Sequence, residues 1–466
     1  MAGGAGTADR GLAVAENLAE CGSAELSRSL RSRHVTMIAI GGIIGAGLFV
    51  GSSAAIAAVG PAIIVSYLLA GLVILLVMRM LSEMAAANPH IGSFTEFPRL
   101  ALGPWAGFMA GWLYWYFWVV VVAVEAIAGA QLLNLWIPAP VWQIGLALMA
   151  LLTAVNLMST RSYGEFEFWF ASIKVAAIIV FIVIAGSAVL GLGPAPATGF
   201  ANLTAHGGFA PFGPVAVLAG ITSVIFSLCG AEVVTIAAAE SNESSRTISR
   251  LTITIILRIV LFYVLSILLI VAIVPWREIQ PGLSPFATAL DRIGIPYAAM
   301  MMNAIVLTAV LSCLNSGVYV TSRVLFTLAA NGDAPQSMVA LSRSRVPARA
   351  ILIGSSFGYV GVIASIISPS LVFAFLVNAS GAIMLMIYLI TALAQIRLRR
   401  RLEHDDPGRL TIRMWLFPWA SWAVVFAILA VLAAMAFTPG LLSQLYASLA
   451  CLAVISAACV LRQRRR

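Results

Sequence analysis

The chain is 466 residues long; 61% of them are hydrophobic, 10% are charged, and the formal net charge is +9. The apolar residues fall in long blocks, and the stretches between blocks are too short to hold a water-soluble domain. The charge lies between the blocks in an alternating pattern that marks membrane topology, which excludes nucleic acid as a partner.

Crossing a hydrocarbon core of about 30 Å takes about 20 apolar residues, and every backbone group inside it must be satisfied within the chain. Blocks of that length are therefore helices. Twelve occur, at 35–58, 61–86, 104–134, 140–158, 166–191, 214–239, 251–274, 296–328, 350–367, 370–396, 414–437 and 440–460. The predicted fold class is an all-α polytopic membrane protein with twelve transmembrane helices. Residues 1–30 are polar and Gly/Ala-rich without the apolar run of a signal peptide, so a disordered cytoplasmic tail is expected. A transport core over 31–396, a basic cytoplasmic loop over 397–413, peripheral helices over 414–460 and a basic tail over 461–466 complete the predicted organisation.

The first block contains AIGGIIGAGLFV, from Ala39 to Val50, with Gly41, Gly42, Gly45 and Gly47 crowded together. Glycine costs about 1 kcal/mol against alanine inside a helix. Close helix packing through the pairs Gly41/Gly45 and Gly47/Gly51 is one explanation. The sixth block supplies the other: Ser227, Leu228, Cys229 and Gly230 interrupt it near its middle, followed by an intramembrane Glu232. If the first ten spans are two repeats of five, the first and sixth are equivalent, and an odd repeat forces the second copy to be inverted. Paired breaks of this kind point to a transporter site at the repeat interface. Unwinding at Ile44, Gly45, Ala46 and Gly47 leaves amide N–H groups for a carboxylate, at the positive end of the outer half-helix. The break over 227–231 exposes carbonyls suited to an ammonium group. Together they describe a receptor for a zwitterion, hence an amino acid.

Ionisable residues inside spans are costly and usually functional. Glu125 in the third span has three readings, as receiver of the substrate amine, as partner of Lys174 or as proton carrier, against a structural salt bridge. Lys174 in the fifth span is the only lysine in the chain. It lies about 13 Å of helix beyond Glu165, deep for a snorkelling residue. Lysine loses its proton when desolvated and arginine does not, so Lys174 is the candidate proton carrier. Glu232 either stabilises the sixth-span break or faces the site. Asn315 and Ser316 in the eighth span are expected to meet Lys174 or the first-span carbonyls, or to bond a neighbouring helix. Arg79, Glu83 and Arg323 lie near cytoplasmic ends, as gate or anchor residues. Trp112, Tyr114, Trp115, Tyr116 and Trp118 cluster early in the third span, for packing or as cavity lining.

Arginine marks one side of the membrane. Arg28, Arg31 and Arg33 precede the first block, and Arg343, Arg345 and Arg349 lie between the eighth and ninth. Arg397, Arg399, Arg400, Arg401, Arg409 and Arg413 surround the tenth-to-eleventh connection, and Arg462, Arg464, Arg465 and Arg466 close the chain. Connections 135–140, 192–213, 367–370 and 437–440 carry no Lys or Arg; 275–295 alone breaks the pattern. The positive-inside rule makes both termini cytoplasmic. Cys21, Cys229, Cys313, Cys451 and Cys459 show no disulfide or zinc spacing. An intramembrane enzyme needs Asp pairs, Ser/His dyads or His clusters within spans. His34, His90, His206 and His404 all lie outside span centres, so no catalytic residue, metal or cofactor is expected. A channel is the remaining competitor, and paired broken helices favour alternating access over an open pore.

The motifs SRHVTMIAIGGIIGAGLFVGSS, GWLYWYFWV, YGEFEFWFASIKV, GAEVVTIAAAES, CLNSGVYVTSRVLFTLAANGDAP and RMWLFPW occur in order. They resemble the bacterial amino acid permeases of the amino acid–polyamine–organocation superfamily, with the strongest likeness to 4-aminobutyrate permeases. The resemblance runs from about Arg31 to the twelfth span. It implies a LeuT-like core of five plus five helices with two peripheral ones, and backbone amides of Gly45, Ala46 and Gly47 on the substrate carboxylate. It also implies that Lys174 stands where sodium-coupled relatives hold a sodium ion, coupling transport to protons. The loop NPHIGSF departs from the resemblance at His90 and Ile91, where related permeases carry an acidic residue. The expected function is proton-coupled uptake of 4-aminobutyrate or a related small amino acid across the bacterial cytoplasmic membrane, with exchange or another neutral or aromatic amino acid as the alternative.

Overall fold

The computed structural model describes residues 43–89, 91, 93–158, 163–192, 199–232, 245–342, 346–438 and 440–465. Gly41, Gly42, His90, Arg28, Arg31, Arg33, Arg343 and Arg345, all singled out above, lie outside the described residues. No strand occurs among the described residues.

The first span resumes as a π-helical turn, Gly47–Gly51, and continues as α1 (Ser52–Val59). There follow α2 (Ile63–Ala87), the short α3 (Glu96–Leu102), α4 (Pro104–Leu133), α5 (Val141–Met158) and α6 (Tyr163–Val189). The second half holds α7 (Asn202–Ala205), α8 (Gly213–Leu228), α9 (Ser245–Ile273), α10 (Pro285–Ile293) and α11 (Ala298–Ala330). Last come α12 (Ala348–Ala364), α13 (Pro369–Asp405), α14 (Trp419–Phe437) and α15 (Leu442–Arg465). Among the described residues, nine helices are long and apolar enough to cross a membrane, and α8 and α12 are apolar but shorter. One of the nine, Gly47–Ala87, covers parts of the first two predicted blocks, so twelve separate spans are not counted this way.

Two sequence features explain what sits at the centre. α4 starts on Pro104, whose missing N–H costs nothing in the first turn, and is apolar on every side. Such a helix belongs in an interior; α4 packs against α11, α12 and α13 and is buried along most of its length. α2 packs on α9, while α8 lies among α1, α2, α13 and α14. The periphery is the converse: Phe426, Phe437, Tyr446, Val454 and Leu461 of α14 and α15 are exposed apolar residues. In a bilayer such faces meet lipid and need no protein partner.

The ends of two helices differ from expectation. α13 runs through the arginine cluster to Asp405, so the loop predicted at 397 begins nine residues later than expected, and α15 stays helical to Arg465. Arginine is a good helix former, and basic composition alone does not end a helix. The extension turns Arg399 inward, where its guanidinium meets the buried Glu83 carboxylate of α2. Glu83 also accepts from Gln395 Nε2 at 2.7 Å, and Ser421 Oγ donates to Gln395 Oε1 at 2.9 Å. This network fastens α2, α13 and α14 together. Arg79 donates to the Arg413 carbonyl and lies 5.0 Å from the Trp415 ring. Arg79 and Glu83 therefore act as anchors. At the same end Asp333, with a fully buried side chain, receives Arg99 from α3 and Arg462 from α15.

Candidate functional site

The first-span helix is interrupted at Ile44 and Gly45 and resumes with Ala46 as the cap of the π-helical turn. A helix start leaves its first amides unpaired. One of them is claimed by a side chain: Ala46 N–H donates to both carboxylate oxygens of Glu125, at 3.0 and 3.1 Å. On the other side of the interruption, Tyr263 of α9 donates its hydroxyl to the Ile43 carbonyl at 3.1 Å. The two loose ends of the broken span are thus bonded by residues from α4 and α9.

The sixth span breaks in the same manner. α8 ends at Leu228, Cys229 is extended, and Gly230 has φ 105°, a conformation open chiefly to glycine. The Gly230 amide donates to the Glu232 carboxylate at 3.2 and 3.1 Å. Tyr114 and Tyr388 donate their hydroxyls to the same carboxylate at 3.2 and 3.3 Å. These contacts tie the Glu232 carboxylate to the break, to α4 and to α13. Residues 233–244 lie outside the described ones.

The two breaks touch. Ser227 Oγ donates to the Gly47 carbonyl at 3.0 Å, and a Cβ at Gly47 would fall 2.6 Å from Ser227 Cα. A Cβ at Gly45 would fall 2.7 Å from both Cys313 Sγ and Glu125 Oε1. Glycine is what allows α4, α8 and α11 to close on this point. Between them lies a cavity of about 20 Å³. Gly45, Gly47 and Glu125 border it, with Ser227, Cys229 and Cys313. Phe117, Trp118 and Phe226 form its aromatic wall. That space holds about one water molecule, so anything larger enters only when the walls part. Ile44, Ala46, Leu228 and Gly230 are buried next to the cavity without lining it.

Lys174 of α6 is completely buried and donates to Ser312 Oγ of α11 at 3.1 Å. Its ammonium is within electrostatic reach of Glu125. Of the partners open to Asn315, the structure shows a neighbouring helix: it accepts from Asn156 Nδ2 of α5 at 2.8 Å. The helix turns Asn315 toward a neighbour and brings Ser312, one turn earlier, to the lysine. Ser316 is buried on the same helix. Of the aromatic cluster, Trp118 lines the cavity, Tyr114 bonds Glu232, and Trp112 donates to the Asp333 carbonyl at 3.2 Å. Sequence reasoning did not reach Ser312, Tyr263 or Tyr388; the available signal was a polar group at membrane depth in an otherwise apolar helix.

The amino acid permease family model matches residues 34–462. The gamma-aminobutyric acid permease of Bacillus subtilis (strain 168) is 48% identical over 422 residues, covering 90% of each chain. The gamma-aminobutyric acid permease of Escherichia coli (strain K12) is 45% identical over 420 residues, covering 89% of this chain and 90% of that one. Among solved structures, a manganese transporter of Eremococcus coleocola shares the fold with a TM-score of 0.57 at 12% identity, covering 92% of this chain and 93% of its own. That likeness joins the broken-helix geometry in identifying a LeuT-like all-α fold. With a match along nearly the whole chain, the protein belongs to the amino acid permease family, whose members are membrane transporters and not enzymes.

Proposed function

We propose that this chain takes up 4-aminobutyrate, or a closely similar small zwitterion, together with a proton across the bacterial cytoplasmic membrane, with both termini in the cytoplasm. The Glu125–Ala46 contact carries the reading. An amide at the start of a half-helix is a seat for a carboxylate, and here a carboxylate of the protein sits on it. The substrate carboxylate competes for the same amide. When it wins, Glu125 is displaced within a buried site, where an unpaired charge costs several kcal/mol. Displacement becomes favourable only when Glu125 gains the substrate ammonium or a proton. Substrate seating and protonation are thereby linked, and Lys174, held by Ser312 within reach of Glu125, is the second member of the coupling pair. The narrow aromatic wall of Phe117, Trp118 and Phe226 suits an unbranched chain. The names of the relatives above support the same substrate.

The test is uptake by purified protein in proteoliposomes, using radiolabelled 4-aminobutyrate and a panel of unlabelled competitors. Saturable counterflow, strongest competition by 4-aminobutyrate and accumulation driven by an inward pH gradient are expected. Non-saturable flux would overturn the carrier reading, and stronger competition by an aromatic amino acid would overturn the substrate.

A further inference from the structure

One surface feature has no part in the transport reading. A groove of about 600 Å³ runs along the end of α13, bordered by Leu393 and Ile396 and then by Arg397, Arg400, Arg401 and His404. Spacings of three and four put these six residues on one helical face. Asp405 also borders the groove and is engaged with His404 Nδ1 at 2.9 Å. From Leu393 to His404 the helix rises about 16 Å. That length carries the face from apolar depth to the arginine level, which the orientation proposed above puts at the cytoplasmic leaflet.

We propose that this groove binds an anionic phospholipid of that leaflet, its acyl chains along Leu393 and Ile396 and its phosphate on Arg397 and Arg400. The arginines on this helix are divided by task. Arg399 points inward to Glu83 and also takes Glu403 at 2.8 Å. Arg401 reaches the Leu100 carbonyl at 3.4 Å. Arg397 and Arg400 are exposed, and no carboxylate among the described residues pairs with either. The helix is therefore anchored without them. Two guanidinium groups one turn apart match the oxygens of a phosphate, which they bind through forked N–H pairs. Free phosphate would use only the basic half of the groove. A lipid uses both halves, which is why the apolar half favours it.

The experiment is a lipid titration of the purified full-length protein by native mass spectrometry, with phosphatidylglycerol against phosphatidylcholine as probes. It reads lipid binding and does not depend on which substrate is carried. At about fivefold per basic residue near the surface, R397Q/R400Q is expected to weaken phosphatidylglycerol binding roughly thirty-fold and leave phosphatidylcholine unchanged. R277Q, an exposed arginine elsewhere, is expected to match the parent protein. Equal phosphatidylglycerol binding by the double variant and the parent would overturn the proposal, as would an equal loss in R277Q. Displacement of the lipid by millimolar inorganic phosphate would also overturn it, since that is the behaviour of a free-anion site.

Discussion

The amide of Ala46 and the carboxylate of Glu125, 79 positions apart in the chain, meet at 3.0 and 3.1 Å in the buried centre of the molecule. Glu125 is positioned by the buried helix α4, and Ala46 by the restart of the first span. The contact therefore reports on the break and on the packing of the core at once.

Glu125→Gln retains an acceptor for the Ala46 amide and loses the ability to carry charge or a proton. Counterflow of 4-aminobutyrate is expected to persist, while accumulation driven by a pH gradient falls at least tenfold. Initial rates measured from pH 5 to 8 should flatten relative to the parent protein. An unaltered pH profile would return Glu125 to a purely structural role.

Lys174→Ala removes the buried ammonium, and Ser312→Ala removes a hydroxyl that accepts from it. The first is expected to abolish proton-driven accumulation, the second to shift the pH profile of uptake partway. Full gradient-driven accumulation in membrane-inserted Lys174→Ala protein would refute the coupling role.

Gly47→Ala places a methyl group 2.6 Å from Ser227 Cα, a backbone atom that yields only if α8 moves. Overpacking of this kind costs about 1–3 kcal/mol. Substrate affinity is expected to fall more than tenfold, with a lowered thermal midpoint and normal membrane insertion. Gly186→Ala is the matched control, because nothing lies within 4 Å of a Cβ there. It should leave uptake unchanged and stability equal or slightly higher.

Glu83→Ala leaves the Arg399 guanidinium with only the exposed Glu403 carboxylate, and Arg399→Leu leaves the buried Glu83 carboxylate without that cation. Breaking a buried pair from one side costs about 3–5 kcal/mol. Each single variant should melt well below the parent protein. The double variant Glu83→Ala/Arg399→Leu should recover part of the loss, because neither charge is left alone. Additive losses in a thermal-shift assay would show that the two residues do not act as a pair.

How much of this was legible beforehand follows from the kind of signal each feature leaves. The helical class is written in hydropathy, since apolar blocks of spanning length have one backbone solution in lipid. The breaks are written in composition: Gly45, Gly47 and the run Ser227–Gly230 contradict helix propensity inside helical blocks. Gly45, Gly47, Ser227 and Cys229, picked out on those grounds, and Glu125, picked out as a charge at membrane depth, do border one cavity. What a sequence leaves open is rotation about a helix axis. Asn315 and Ser312 share a helix, and only packing determines that Ser312 faces Lys174 while Asn315 faces Asn156. The Glu125–Ala46 bond was hidden for a similar reason, because a contact between distant helices leaves no local pattern. The early end given to the tenth span came from treating arginines as loop residues.

The glutamates at the two breaks have a consequence for leakage. A span with a gap in its hydrogen-bond ladder is a flaw through which water and small anions can slip, and a carrier that leaks dissipates the gradient it lives on. In this chain each gap is stoppered by a tethered acid, Glu125 at Ala46 and Glu232 at Gly230. A tether keeps the stopper at the gap at very high local concentration, so loose anions compete poorly for the same amide. At the first-span gap, only a ligand that answers the displaced acid with a proton or an ammonium group does better. On the proposed reading, the barrier to leakage and the discrimination among ligands come from one carboxylate.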